Sequence, residues 1–292
     1  MPTLNTKIGF VLHTGARYRR GVIVALAALV ALALLLPAAV NASPQSVPAN
    51  SPTPEDKPTV VLVHGAFADS SSWNGVIPRL KREGYPVISV ANPLRGLQED
   101  AAHLRSVLDS VDGPIVLAGH SYGGSVMSEA AESQPDVKAL VYVASFQLDV
   151  GESTGELAAK FPGGELGPAL QPVAFETPDG RTGNDLYIKQ EEFRRVFAAD
   201  ISKMIAELMA ATQRPIAETA LQDTATKAAW KTIPAWSMIT TKDLAIPAES
   251  MRFMAERANA EVVEIDASHG VTVSEPRAVA DLITKAAHEV TQ

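Results

Sequence analysis

From Pro58 onward, short apolar runs alternate with segments of helical period, and this alternation limits the possible folds more than any other feature. The first run, 59–63, is continuous and rich in β-branched residues, which is typical of a strand buried on both faces. The runs lie at 59–63, 86–90, 114–118, 137–144, 235–240 and 261–266, and the helical patterns lie at 73–83, 98–109, 125–133, 248–258 and 275–289. The alternation predicts an α/β fold with a mostly parallel sheet of about six strands and helices on both faces.

The region before Pro58 has a different composition. A basic lead precedes the uncharged run "GVIVALAALVALALLL" and then small residues, which is the arrangement of a secretory signal. We expect residues 1–42 to be a signal peptide that directs secretion or export to the periplasm, with a retained membrane anchor as the alternative. Residues 43–57 are rich in Pro and Ser and predict a linker, so the folded domain is expected to span residues 58–292.

Charge and cysteine content exclude several classes of partner. The formal net charge is −8, and the lysines and arginines are dispersed rather than arranged as the basic stripe of a nucleic-acid-binding protein. The chain has no cysteine, which excludes disulfides and a thiol-linked lipid anchor. No histidines and carboxylates have the spacing of a catalytic zinc site, so no metal is expected.

The third predicted strand runs directly into "GHSYGG", residues 119–124, which contains the pattern G-x-S-x-G around Ser121. A nucleophile on a tight strand-to-helix turn needs neighbours that do not collide with it, and glycines two residues to either side provide that space. In open α/β sheets, ligands bind at the carboxyl ends of the strands, where Ser121 is placed. The following helix N-terminus also favours negative charge. We therefore predict that Ser121 is a catalytic nucleophile.

A serine hydroxyl needs a base to remove its proton. Among six histidines, we predict that His269 is this base, because "DASHGVTVSEP" follows the last strand at the sheet edge that carries Ser121. The other five are interpreted as a leader residue (His13), solvated residues of polar helical stretches (His103, His288) and structural residues (His64, His120).

The base in turn needs an acid, and Asp243 directly follows the fifth predicted strand in "SMITTKDLAIP". The order Ser121, Asp243, His269 is the nucleophile–acid–base order of one class of hydrolases. Asp149, just after the fourth strand, remains the alternative acid. Asp266 lies close to His269 in the chain and is interpreted as a structural loop residue.

Taken together, "VLVHGAF", "GHSYGG", "TTKD" and "SHG" resemble the α/β-hydrolase superfamily over about residues 58–290. Within it, the chain is similar to the compact branch of plant methyl esterases and hydroxynitrile lyases. The resemblance implies an oxyanion hole formed by the backbone N–H groups of Ala66 and Tyr122, with Phe67 as the alternative to Ala66. Hydroxynitrile lyases of this branch carry a lysine directly after the catalytic histidine, where this chain has Gly270, so a cyanohydrin lyase is not expected.

Residues 145–234 form a long insertion between the fourth and fifth predicted strands, interpreted as a cap. Phe193, Phe197, Met204 and Leu208 recur there at helical spacing. They either pack the insertion onto the main domain or line a cap over the substrate.

These residues predict a serine hydrolase that cleaves carboxylic esters of small to medium, largely apolar molecules through an acyl-enzyme, without metal or cofactor. The same triad also suits an amide or C–C bond hydrolase or a cofactor-free perhydrolase. A non-catalytic protein that binds small molecules is the alternative from another class. The expected partner is a small-molecule ester, and a membrane is expected only if the N-terminal segment is retained.

Overall fold

The computed structural model describes residues 57–291, so the predicted signal peptide and all but the last residue of the predicted linker lie outside the described residues. Within this range the strands in chain order are β1 Thr59–Val63, β2 Val87–Val90, β3 Ile115–His120, β4 Val137–Val143, β5 Leu170–Glu176, β6 Thr182–Ile188, β7 Ile216–Ala217, β8 Ala235–Thr240 and β9 Glu261–Ile265. Six of them form one sheet in the order β2-β1-β3-β4-β8-β9, and every neighbouring pair is parallel. The predicted fold class is confirmed.

Helices cover both faces of this sheet. Their bounds are α1 Ile77–Arg82, α2 Leu97–Leu108, α3 Tyr122–Ala131, α4 Thr154–Ala159, α5 Leu166–Ala169, α6 Gln190–Phe197, α7 Lys203–Thr212, α8 Glu218–Gln222, α9 Ala248–Arg257, α10 Val271–Ser274 and α11 Pro276–Glu289. One layer contains α1 and α11, with α11 against β3, β4 and β8. The other contains α2 and α3, with α3 against β1, β3 and β4.

The apolar core lies between these layers and the central strands. All residues of β3 are buried, and so are Val60 to Val63 of β1, because both strands have neighbours on each side and helices above and below. The edge strand β9 is largely exposed and carries Glu261 and Glu264 among its valines. Charged residues on an edge strand oppose pairing with another chain.

The register brings the carboxyl ends of the central strands together. Val63 at the end of β1 lies beside Gly119 of β3, and His120 at the end of β3 lies beside Val143 of β4. The loop after each of these strands therefore opens at the same edge of the sheet. This is the edge at which Ser121 follows β3.

Residues between β4 and β8 build a small antiparallel sheet, in the order β5-β6-β7, together with α4 to α8. The continuous helical pattern of the sequence is interrupted at 198–202, which separates α6 from α7. Phe193 and Phe197 of α6 are buried, whereas Met204 and Leu208 of α7 are 74% and 59% exposed. The packing interpretation therefore holds for the two phenylalanines and not for the other two residues.

Among residues 57–291, none of the helices combines the length and the apolar character that a membrane span requires.

Candidate active site

Ser121 occupies a strained turn between β3 and α3. Its φ is 54° and its ψ is −126°, a region that non-glycine residues rarely occupy. The turn is so tight that a Cβ on Gly119 would lie 2.7 Å from the Gly123 carbonyl oxygen. A Cβ on Gly123 would overlap the Val63 carbonyl oxygen. The two glycines therefore allow the backbone to hold Ser121 at the end of the strand.

The structure brings the three residues of the predicted triad into one hydrogen-bonded chain. Nε2 of His269 lies 2.9 Å from Oγ of Ser121, and Nδ1 of His269 lies 2.8 Å from Oδ2 of Asp243. All three residues are buried. An ionised carboxylate only accepts hydrogen bonds, so the proton of a neutral His269 is assigned to Nδ1. Nε2 then carries the lone pair that can accept the proton of the Ser121 hydroxyl.

The Asp243 carboxylate is held by hydrogen-bond donors other than His269. Its Oδ1 accepts hydrogen bonds from the backbone N–H groups of Ala245 and Ile246, each at 2.8 Å. Its Oδ2 also accepts a bond from the Thr240 hydroxyl at 2.8 Å. A buried carboxylate requires such partners, and here they fix the orientation of the oxygen that contacts His269.

Asp149, the alternative acid, and Asp266, the predicted structural loop residue, form other contacts. Asp149 forms an ion pair with Lys231 and accepts a hydrogen bond from the backbone N–H of Val150 at 2.6 Å. Asp266 is exposed and lies 3.8 Å from the ammonium group of Lys242. Of the three acids, Asp243 is the one that the structure brings to His269.

The loop after β1 places backbone N–H groups near Ser121, the candidate nucleophile. A Cβ on Gly65 would lie 3.2 Å from Ser121 Oγ, so this loop runs against the serine. The N–H of Phe67 donates to the Arg214 carbonyl at 2.9 Å, whereas that of Ala66 has no acceptor among residues 57–291. Of these two, Ala66 is therefore the candidate oxyanion donor.

The backbone N–H of Tyr122 directly follows Ser121 in the chain. As the first residue of α3, Tyr122 has an N–H without a partner inside the helix. Its side chain is buried, and its hydroxyl donates to Oδ2 of Asp100 at 2.8 Å. The N–H of Tyr122 is therefore the second candidate oxyanion donor, and its phenol belongs to the contact between α3 and α2.

His64 fixes the loop that carries Ala66. Its Nε2 accepts the backbone N–H of Asn92 at 3.0 Å, and its Nδ1 lies 2.9 Å from the Gly65 carbonyl oxygen. Burial lowers the pKa of His64, which keeps the ring neutral with its proton on Nδ1. This is the structural role that the sequence suggested.

His120 packs against His269, the candidate base. Its Nε2 donates to the carbonyl oxygen of His269 at 2.9 Å, and the two ring centroids are 4.8 Å apart. Burial, reinforced by the proximity of His269, lowers the pKa of His120 to about 3. The ring is therefore a neutral donor that holds the backbone of His269. Its position directly before Ser121 was visible in the sequence, but its hydrogen-bond partner was not.

A groove of about 330 Å³ adjoins the candidate oxyanion loop and the loop after His269. One wall is formed by α7 and the other by residues that follow Ala66 and His269 in the chain. Half of its lining residues are polar, and the apolar half consists of Phe67, Ala68, Ile205, Leu208, Met209 and Val273. The exposed Leu208 therefore belongs to the lining of a groove next to the candidate site.

Within residues 57–291, no group of three or more histidine and carboxylate side chains is arranged to hold a metal ion. The arrangement of Ser121, His269 and Asp243 is chemically suited to nucleophilic attack with general-base assistance.

The model of the alpha/beta hydrolase family matches residues 60–282. An α/β hydrolase of Aspergillus novofumigatus is 27% identical over 255 residues, covering 80% of this chain and 98% of that protein. Polyneuridine aldehyde esterase has a similar solved structure, with a TM-score of 0.69, 22% identity and coverage of 78% of this chain and 98% of that one. A methylesterase from Arabidopsis gives a TM-score of 0.66 at 19% identity, over 80% of this chain and 99% of that one. The predicted likeness to plant methyl esterases is confirmed for the fold, and this chain belongs to the α/β-hydrolase family.

Proposed function

We propose that this protein is a serine hydrolase that cleaves carboxylic esters through an acyl-enzyme. The observation that carries the proposal is the buried chain of hydrogen bonds from Ser121 through His269 to Asp243. A serine without a neighbouring base does not lose its proton readily. Ser121, in contrast, faces the lone pair of the His269 imidazole, whose other nitrogen is bound by the Asp243 carboxylate.

In the proposed reaction, His269 Nε2 takes the proton of Ser121 as Oγ attacks the ester carbonyl carbon. The backbone N–H groups of Ala66 and Tyr122 donate to the oxyanion that forms. The imidazolium of His269 then protonates the leaving alkoxide, and the alcohol departs. Water repeats the sequence on the acyl-enzyme, with His269 again the base, and releases the carboxylic acid. Asp243 stays ionised throughout and stabilises the imidazolium.

The proposed substrates are small to medium esters with a largely apolar group. The groove beside the site supports this class, because its volume lies within the range of small-molecule pockets and its walls include Phe67, Ile205 and Met209. Relatives named as esterases, among them a carbendazim-hydrolysing esterase of Nocardioides, favour esters over amides.

A fluorophosphonate probe tests the activated serine, and mass spectrometry of the labelled protein identifies its position. We expect stoichiometric labelling at Ser121 and none in Ser121→Ala. A panel of p-nitrophenyl esters of increasing acyl length, with matched p-nitroanilides, then tests the bond type. A protein that only binds small molecules would not be labelled, and an amidase would cleave the anilides at comparable rates.

A further inference from the structure

The insertion contacts the loop of the candidate base on both sides of His269. Before it, the backbone N–H of Ser268 donates to Oδ2 of Asp200 at 3.0 Å, and the Ser268 hydroxyl donates to Oδ1 of the same carboxylate. After it, the N–H of Gly270 donates to the Phe197 carbonyl at 2.7 Å. The acceptors belong to residues 197–201, the segment that leads from α6 to α7.

This segment also packs directly against the base loop. The ring of Phe197 meets the ring of His269 edge-on, with centroids 4.8 Å apart. A Cβ on Gly270 would lie 2.7 Å from Ile201 Cδ1 and 3.3 Å from the Phe197 carbonyl oxygen. The absence of a side chain at Gly270 thus permits the close approach. Ser268 is buried, so its two bonds to Asp200 are not exchanged freely for bonds to water.

The C-terminal end of α7 is bound to the candidate oxyanion loop. Arg214, just beyond this helix, accepts the N–H of Phe67 through its carbonyl oxygen. Between the two attachments, Ile205 and Met209 of α7 line the groove. One helix of the insertion therefore lies against the proposed substrate site while its flanking residues bind the loops of the candidate base and oxyanion donor.

We propose that Asp200 is a positioning residue for the proposed esterase reaction: through Ser268 it holds His269 against Ser121 and ties that position to α7. The inference rests on the proposed function. Hydrogen bonds to an ionised carboxylate are the stronger kind, and Asp200 supplies two acceptor oxygens to one residue. If Ser268 is held less firmly, His269 can shift, and a misplacement of about 1 Å at a reacting group can cost about 10²-fold in rate. The loss of the Asp200 contact is therefore expected to affect the chemical step more than substrate binding.

The test compares Asp200→Ala with Asp200→Asn, using p-nitrophenyl ester turnover normalised to fluorophosphonate-titrated sites. We expect Asp200→Ala to lower kcat per active site by about 10–100-fold with a much smaller change in KM. Asn retains one oxygen for the Ser268 N–H, and its amide can donate to the Ser268 hydroxyl, which then bonds the Phe197 carbonyl 3.3 Å away. Asp200→Asn should therefore regain most of the lost kcat.

Asp179→Ala is the matched control, since Asp179 is another exposed carboxylate of the insertion but pairs with Arg181. It should keep wild-type kcat per site. A merely structural role of Asp200 would lower the melting temperature and the number of titratable sites, and leave kcat per site unchanged. Either that result or a failure of Asn to rescue would overturn the proposal. If the wild-type protein neither labels nor hydrolyses esters, the proposed function fails instead.

Discussion

Nε2 of His269 lies 2.9 Å from Oγ of Ser121, although β4 and β8 separate the strands that lead to the two residues. No hydrogen-bond ladder joins β3 to β9, so the contact depends on how the two loops are held. Ser121 is fixed by its glycine-flanked turn. The backbone of His269 is held by a hydrogen bond from His120, and its neighbours Ser268 and Gly270 donate hydrogen bonds to the insertion.

Replacing Ser121, the proposed nucleophile, gives the most direct prediction. Ser121→Ala removes one oxygen from a site whose backbone is set by neighbouring glycines, so the fold should be retained. We expect kcat for a p-nitrophenyl ester to fall by about 10⁶, the scale seen when a triad serine is lost. Steady-state kinetics and a thermal melt measure the two effects. A variant with more than about a tenth of wild-type activity would exclude Ser121 as the nucleophile.

Asp243→Asn should act through the tautomer of His269. Oδ1 of Asp243 is bound by the N–H groups of Ala245 and Ile246, so the amide oxygen of the variant is expected to take that place. Its NH₂ group then faces Nδ1 of His269 and forces the proton onto Nε2, which can no longer accept the serine proton. We expect a loss of about 10⁴ in kcat.

Asp149→Asn is the control for this substitution. Asp149 follows β4 at the same sheet edge but pairs with Lys231 rather than with His269. Kinetics of the two variants under one set of conditions decide between the acids. A large loss in Asp149→Asn together with a small loss in Asp243→Asn would reverse the assignment.

The central strands β1, β3, β4 and β8 of the main sheet followed from the sequence because they are almost entirely buried and contain few polar residues. The hairpin of β5 and β6 did not, since β5 is mostly exposed and has no buried alternation. The sequence Pro178-Asp179-Gly180 does contain a turn signal, and Gly180 adopts a φ of 83° in the turn between the two strands.

The residues of the candidate triad were also predictable, since the motif, the strand ends and the chain order converge on them. The contact of Asp200 with Ser268 was not. The helical pattern runs on through residues 198–202, and the break there coincides with tertiary hydrogen bonds that no local pattern contains. Likewise, His120 stands beside the nucleophile in sequence, but its bond to the His269 carbonyl exists only once two distant loops meet.

Gly65→Ala should disturb the oxyanion loop. A Cβ there would lie 2.6 Å from Cβ of Ser121 and 2.8 Å from the His120 carbonyl oxygen, so the loop or the serine must move. We expect kcat to fall by about 10²-fold and stability by about 1–3 kcal/mol. Gly167→Ala is the matched control, because a Cβ at Gly167 has no atom within 4 Å. Equal kinetics for the two variants would show that the loop tolerates the methyl group.

His120 makes the folded state sensitive to acid. Its pKa is lowered to about 3 in the folded protein, chiefly by burial, whereas an unfolded chain binds this proton near pH 6.5. Below about pH 6.5 the unfolded state therefore carries a proton that the folded state lacks, and stability falls by about 1.4 kcal/mol per pH unit until the folded pKa is reached.

His120→Gln removes this proton while keeping an N–H donor for the His269 carbonyl. Urea unfolding at pH 7 and pH 5 should show that the wild-type protein loses about 2 kcal/mol more stability between the two pH values than the variant does. His64, whose pKa is also lowered by burial, is present in both proteins and cancels in the comparison. Identical losses in the two proteins would mean that His120 binds a proton in the folded state as readily as in the unfolded chain, and its role as a neutral donor beneath His269 would then be wrong.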